Sequence, residues 1–394
     1  MQHQYGDNSS KYSDRYPAIA DLVKPARSRM PYFAWEYLDS GTGVERLVTH
    51  NHQRLQAIEM LPKYFAGNFD VSLQTTLMGQ TYAAPFGIAP VGMTGLMWPV
   101  GEHMLAKTAA RHNIPYCLST VACAAPETVG PLCEGNGWFQ LYVPLDREIC
   151  IDILNRAWQS GFRTLVVTAD VPIPSMRERQ RKAGLKVPPE TNLKNIFRVA
   201  IRPQWAWATL RHGKPGFPGL EKYAASGDLR NVSTFLGRQL TDNLNLEYLK
   251  LIRDNWQGRI IVKGILHEDD AKNLVEAGVD GIVVSNHGGR QFDGAPAAID
   301  ALPPIVKAVG DKCAILYDSG IRGGLDVLRA LALGAQFVLV GRPFLYGIAA
   351  LGELGGDHVV EILTADITNN LRQLGAHEIG NLKSHLVHNT RHKK

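Results

Sequence analysis

The segment VSNHGGRQ, residues 284–291, sets a histidine and an arginine three positions apart with two glycines between them, just after the apolar run DGIV. An imidazole titrating near neutrality can take a proton, and a guanidinium can hold a carboxylate through parallel hydrogen bonds. His287 and Arg290 therefore have the chemistry of a base and a clamp around one small anionic molecule. The same stretch also suits a loop that only turns the chain, because paired glycines reach backbone angles other residues avoid. The elements that position it must decide between the two.

Short β-rich runs recur along the chain: PFGIAP (85–90), YCLST (116–120), WFQLYV (138–143), TLVVTAD (164–170), IIVKG (260–264), GIVVSN (281–286), AILYDSG (314–320) and FVLVGR (337–342). Between them lie segments such as GEHMLAKTAARHN, REICIDILNRAWQSG, HEDDAKNLVEAG and GLDVLRALALG, with apolar spacing near 3.6 and Gly or Asn as C-caps. Runs apolar on both faces imply a parallel sheet covered by helices. Eight such units predict an α/β fold, a (β/α)8 TIM barrel rather than a doubly wound sheet. Residues 1–84 become an N-terminal helical extension, 85–350 the barrel with an insertion at 171–246 after strand 4, and 351–394 a C-terminal helix and polar tail. No second domain is expected.

Composition narrows the function classes. An apolar fraction of 45 % with 20 % charged residues fits a globular protein with a large core. The net charge of +5 is mild and no dense Lys/Arg run occurs, which argues against nucleic acid as a partner. The five cysteines, Cys117, Cys123, Cys133, Cys150 and Cys313, form no CxxC pair. Neither a disulfide framework nor a metal site is expected, and a reducing, cytoplasmic compartment is. The N-terminus lacks the apolar core of a signal peptide, and no stretch approaches the roughly 18 apolar residues that span a bilayer.

One connection is too long for a βα loop. From Val171 to about Leu246 the chain runs between strands 4 and 5, and residues 194–222 hold six Lys/Arg (Lys194, Arg198, Arg202, Arg211, Lys214, Lys222) against one acid, Glu221. Phe197, Trp205, Trp207 and Phe217 are interleaved with them. Such a segment can lie in a membrane interface, or it can be a lid that packs its aromatics against the barrel, with Pro203 and Pro215 breaking any helical face.

In a barrel of this kind chemistry gathers at the C-terminal strand ends. There the sequence places Ser119, Gln140, Tyr142, Thr168, Asp170, Lys263, Ser285, His287, Arg290, Asp318, Arg322 and Arg342. Singly each has a plain explanation: Ser119 or Thr168 bonding local backbone, Lys263 snorkelling to solvent, Asp170 capping a turn. Together, on all but the first strand end, they predict a site. DSGIRGG and GRP, after strands 7 and 8, add glycines and arginines where barrels often hold a phosphate.

SNHGGRQ, with VKG, FQLYV, DSGIRGG and VGRP in this order, resembles the family of FMN-dependent L-2-hydroxy acid oxidases and dehydrogenases. That family includes glycolate oxidase, flavin-type lactate dehydrogenase and (S)-mandelate dehydrogenase. The resemblance runs from about Met30 to Leu382. It implies FMN as cofactor, its phosphate on Arg322, Gly341 and Arg342 with Ser319 and Gly320 in the turn, and Asp318 beside the ribityl chain. The flavin ring is then expected on Pro90, Val91 and Gly92, bonded to Ser119, Gln140, Thr168, Lys263 and Ser285. Arg290, Arg177 and Tyr37 match the family's carboxylate site, and Tyr142 the group that bonds the substrate hydroxyl. His287 matches the base and Asp170 its partner. Both a Cα proton, leaving a carbanion, and the hydroxyl proton, coupled to hydride transfer, are open to such a base.

Details lean toward the dehydrogenases: Gly92 stands where oxidases commonly carry alanine, and LSTVACAAPETV, RPQWAW and LMWPVGE resemble the membrane-associated lactate and mandelate types. The expected reaction oxidises an (S)-2-hydroxy acid to the 2-keto acid, with electrons passing to a quinone or other carrier. An oxidase using oxygen, and an inactive flavin- or phosphate-binding barrel, are the alternatives. The subgroup implies peripheral contact of 194–222 with the inner face of the cell membrane, and the family a homotetramer. Val121, where glycolate oxidase has tryptophan, implies room for a larger substrate side chain. DSG in place of the commoner DGG puts Ser319 in the phosphate turn.

Overall fold

The computed structural model describes residues 10–185, 193–223 and 244–387. The polar tail, parts of the insertion (186–192 and 224–243) and the first nine residues lie outside the described residues. A hairpin of β1 (Thr75–Leu77) and β2 (Gln80–Tyr82) precedes eight parallel strands closed into a barrel. These are β3 (Phe86–Ile88), β4 (Tyr116–Ser119), β5 (Gly137–Leu141), β6 (Thr164–Thr168), β7 (Arg259–Ile265), β8 (Gly281–Val284), β9 (Ala314–Tyr317) and β10 (Phe337–Val340). β10 pairs with β3 to close the ring. Each expected strand is present, and the expected C-terminal helix spans Gly355–Leu374.

Side-chain alternation explains why one face of each strand serves both core and site. Ala89, Cys117, Trp138, Val166, Ile261, Val283, Leu316 and Leu339 pack as a cluster inside the barrel, separate from the larger core between barrel and helices. Two positions further along each strand stand Val91, Ser119, Gln140, Thr168, Lys263, Ser285, Asp318 and Gly341. The register pairs Ser119 with Gln140 and Thr168 with Lys263, so the polar layer lies level across neighbouring strands. At the opposite end the hairpin is the plug: Leu77 and Tyr82 join the inner cluster, and Trp138 Nε1 donates to Tyr82 Oη at 3.1 Å. This hairpin is an addition to the helical extension expected over 1–84.

The extension also covers the site end. Helices Ile19–Arg29, Tyr32–Asp39 and Arg46–Gln56 lead to the barrel, and Thr42 N donates to Gly289 O beside the histidine loop. Asn51 and Asn286 exchange two buried hydrogen bonds, 2.8 and 2.7 Å. The start of the insertion is held by Arg179, whose guanidinium meets Glu36 (2.6 Å), Glu45 (2.8 Å) and Asp39 (3.1 Å).

Replacing Arg179 by Met leaves the Glu36 carboxylate, 5 % exposed, without its counter-charge. Because the guanidinium itself is 36 % exposed, the expected cost is about 1–2 kcal/mol, below the roughly 3–5 of a fully buried pair. Urea unfolding measures it, and limited proteolysis should cut faster within 171–185. An unchanged midpoint and cleavage rate would show that this cluster does not hold the segment.

Candidate active site

A cavity of about 390 Å³ opens at the C-terminal ends of the strands. Fifteen of the expected site residues line it: Tyr37, Pro90, Val91, Gly92, Tyr142, Arg177, Lys263, His287, Arg290, Asp318, Ser319, Gly320, Arg322, Gly341 and Arg342. Ser119, Gln140, Thr168 and Ser285 form the buried layer of the strand ends.

Lys263, on β7, is buried rather than snorkelling to solvent. Its Nζ meets Asp318 Oδ2 at 2.9 Å and donates to Ser285 Oγ at 2.9 Å. Burial alone would lower its pKa, but Asp318 and Asp170 overcome that and hold it above the ordinary lysine value, so it is an ammonium. From β4 to β6 a side-chain chain runs beside it: Ser119 Oγ donates to Gln140 Oε1 (2.8 Å) and Gln140 Nε2 to Thr168 Oγ1 (2.9 Å). Asp318, expected beside a ribityl chain, has both oxygens engaged by protein donors, Lys263 on one and Ser319 Oγ on the other.

His287 follows β8 in a left-handed conformation, φ 57°. Its Nδ1 lies 2.9 Å from Asp170 Oδ1, beyond the end of β6. Burial raises the Asp170 carboxyl, yet His287 and Lys263 hold it below the ordinary value, so it stays ionised. For His287 the balance reverses: burial outweighs the attraction of Asp170 and puts the imidazole below its ordinary 6.5. The ring is thus neutral at pH 7, donates from Nδ1–H to the carboxylate, and carries its lone pair on Nε2. Gly264, the last residue of VKG, carries no role in the sequence reading, yet it makes this approach feasible. It sits at a β-bulge with φ 103°, and a Cβ there would come within 2.5 Å of Asp170 Cγ.

Tyr142, beyond β5, is pushed up to about 12 by burial and keeps its proton at neutral pH. Arg290 and Arg177 are the pair expected to hold an anion, and both line the cavity. Arg290 Nη1 donates to the carbonyls of Tyr37 and Ser40 at 2.8 Å, and its guanidinium lies 5.1 Å from the Tyr37 ring centroid. Arg177 donates to Ser175 Oγ (3.0 Å) and Gln291 Oε1 (3.2 Å). Among the described residues neither has a carboxylate partner, and burial with Arg177 nearby pulls Arg290 down to about 9. Two part-buried cations so close favour an anion between them. Ser175 and Gln291 are site residues to which the sequence reading gave no role, because a residue that orients another carries no chemical signature of its own.

Beyond β9 and β10, Arg322 donates to its neighbour Ile321 O (2.8 Å), whereas Arg342 is a tether to the carbonyls of Leu38, Ser40 and Gly288 (3.0, 3.1 and 3.1 Å). Ser319 and Gly320 have successive positive φ values, 89° and 88°, and form the turn after β9 that lines the cavity.

The family model for FMN-dependent dehydrogenases matches residues 26–389. The chain belongs to the FMN-dependent dehydrogenase family. It is 38 % identical to L-lactate dehydrogenase of Serratia proteamaculans over 369 residues, 93 % of this chain and 97 % of the relative. The same protein of Xanthomonas axonopodis pv. citri is also 38 % identical, over 93 % and 95 %. Among solved structures, the monotopic membrane protein (S)-mandelate dehydrogenase superposes with a TM-score of 0.90 at 36 % identity, covering 94 % of this chain and 98 % of that one. A mandelate oxidase superposes at 0.79 with 31 % identity, over 94 % and 98 %. The fit to FMN rests on this chain's own groups: a buried ammonium, a level row of amide and hydroxyl groups, and Arg322 lining the cavity with the Ser319–Gly320 turn.

Replacing Asp170 by Asn removes the one attraction that raises the His287 pKa and leaves burial unopposed. The imidazole of the variant should titrate further below 6.5 than the parent's, read by NMR of labelled histidine. A shift upward would mean that Asp170 does not face the ring as an ion.

Proposed function

We propose that the protein oxidises an (S)-2-hydroxy acid to the 2-keto acid and passes the electrons to a membrane quinone. The observation that carries this reading is the neutral His287 imidazole bonded to the ionised Asp170, in one cavity with two guanidiniums that lack carboxylate partners among the described residues, beside the buried Lys263. FMN, when bound, supplies a two-electron acceptor. Arg290 and Arg177 hold the substrate carboxylate, and Tyr37 and Tyr142 border its carboxyl and hydroxyl. His287 Nε2 accepts a substrate proton as C2 becomes a ketone, and Asp170 steadies the imidazolium that forms. The Lys263 cation favours negative charge on the group beside it. Val121, Val171 and Pro174 give the cavity an apolar wall for the substrate's side chain, which suits lactate- to mandelate-sized acids.

The membrane reading rests on the insertion. Helices Leu193–Ala200 and Pro203–His212 leave Leu193, Ile196, Phe197, Ile201, Trp207 and Leu210 exposed, Leu193 at 86 % and Leu210 at 77 %. Trp205 instead packs inward, its Nε1 donating to Leu96 O at 3.0 Å and its ring edge-on to Phe33. The two expectations for the segment thus divide by residue: Trp205 and Phe217 pack on the barrel, while Phe197 and Trp207 face out among Arg198, Arg202, Arg211 and Lys214. An exposed apolar patch followed in sequence by the exposed cations Arg211 and Lys214 suits an anionic bilayer surface. Among the described residues no helix is long and apolar enough to cross a membrane, so contact would be peripheral, and we place it on the cytoplasmic face.

Anaerobic mixing with a panel of 2-hydroxy acids, followed by oxygen or a quinone, tests substrate and acceptor together. L-Lactate or (S)-mandelate should bleach the flavin, and the quinone should restore its colour faster than oxygen. His287→Gln should keep FMN and lose about 10²–10⁴-fold in the rate of bleaching. Arg290→Met should weaken substrate capture by about 100-fold. Near-parental values in either would refute the assigned role.

The double change Phe197→Ser and Trp207→Ser should cut partition onto phosphatidylglycerol vesicles by about 10-fold or more. Turnover with a soluble dye acceptor should stay within about 2-fold, because both side chains are exposed and neither lines the cavity. Undiminished vesicle binding would remove the segment from the membrane surface.

A further inference from the structure

Ser319 holds a backbone angle that suits glycine, φ 89°, in a turn where the next residue is a glycine at 88°. A side chain there strains the chain, so its hydroxyl must do something glycine cannot. Its bonds say what. Ser319 Oγ accepts from Asn286 N (3.2 Å) and Gly288 N (3.1 Å), the amides on either side of His287, and donates to Asp318 Oδ1 (3.0 Å). One donor and two acceptor positions are the full capacity of a hydroxyl. The amide of His287 itself donates to Ser285 Oγ (3.0 Å), which in turn receives Lys263 Nζ. Three consecutive amides, 286 to 288, are therefore held by two serine hydroxyls, and each hydroxyl is bonded to one member of the Lys263–Asp318 ion pair.

We propose that Ser319 is a positioning residue for the oxidation: its hydroxyl locks the His287 loop to the Lys263–Asp318 pair, so that base and cation keep one fixed geometry. The inference rests on the dehydrogenase reading above and deepens it. His287 has a left-handed backbone and is followed by Gly288 and Gly289, both at positive φ (65° and 77°), so the loop has little stiffness of its own. The tether supplies it from outside. Tyr317 Oη, donating to Ser319 O at 2.7 Å, fixes the serine in its strained turn.

Two substitutions separate tether from strain. Ser319→Gly and Ser319→Ala both lose the hydroxyl, but only glycine relaxes the backbone. Glycine should therefore melt about 1–2 °C above alanine. Both should nonetheless lose about 10-fold or more in the rate of flavin bleaching, because a base displaced by a fraction of an ångström is a poor one. Amide hydrogen exchange at Asn286 and Gly288 should speed up by about 10-fold in both variants, with or without FMN bound. Turnover that follows melting temperature, parental turnover in Ser319→Gly, or unchanged exchange at the two amides would each overturn the proposal. A parent protein that no 2-hydroxy acid bleaches overturns the functional reading instead, and exchange at the two amides still decides the tether.

Discussion

The Lys263–Asp318 ion pair is the constraint around which the barrel mouth is arranged. An ammonium at the end of an interior strand cannot remain charged without close counter-charge and hydrogen bonds, because desolvation would strip its proton. Asp318 from β9 supplies the charge and Ser285 from β8 a hydrogen bond, so three adjacent strands meet at one cation. Asp170, beyond β6, adds a second negative charge whose own partner is His287. The charges alternate along this line: Asp318, Lys263, Asp170, and an imidazole that can become positive. A proton taken by His287 thus arrives beside a carboxylate already ionised by its neighbours.

The second constraint is the lid that the N-terminal extension and the start of the insertion make together. Arg290 and Arg342 spend donors on the carbonyls of residues 37, 38 and 40, so the extension is stitched to the site by the same cations that face the cavity. Arg179 performs the equivalent service from the insertion side, through acids of that extension. Arginines so used are preorganised: their side chains lose little further entropy when an anion arrives. The exposed apolar side chains of the two insertion helices lie apart from this stitching, which leaves them available to a surface outside the protein.

Much of the barrel was legible because period-2 strands and 3.6-period helices write themselves into composition. All eight strands fall on the apolar runs, seven of which end in polar residues, and seven of the twelve strand-end side chains line the cavity. The hairpin at 75–82 was not legible: its strands are three residues each and carry no sustained alternation. Gly264 and Ser175 were invisible for a different reason, since their roles exist only relative to Asp170 and Arg177.

The sequence by itself determined the fold class, the family resemblance and the inventory of reactive groups, because those follow from residue type and order. It could name His287 as a base and Lys263 as a cation, yet it could also read Lys263 as a snorkelling surface lysine. Only the tertiary structure decided that, by closing β7 between β6 and β8 and burying the ammonium against Asp318. The directions of the pKa shifts, the split of the insertion's aromatics between core and surface, and the hydrogen bonds of Ser319 likewise arise only in three dimensions. Each depends on desolvation and on distances between residues far apart in the chain, and neither is written in local order.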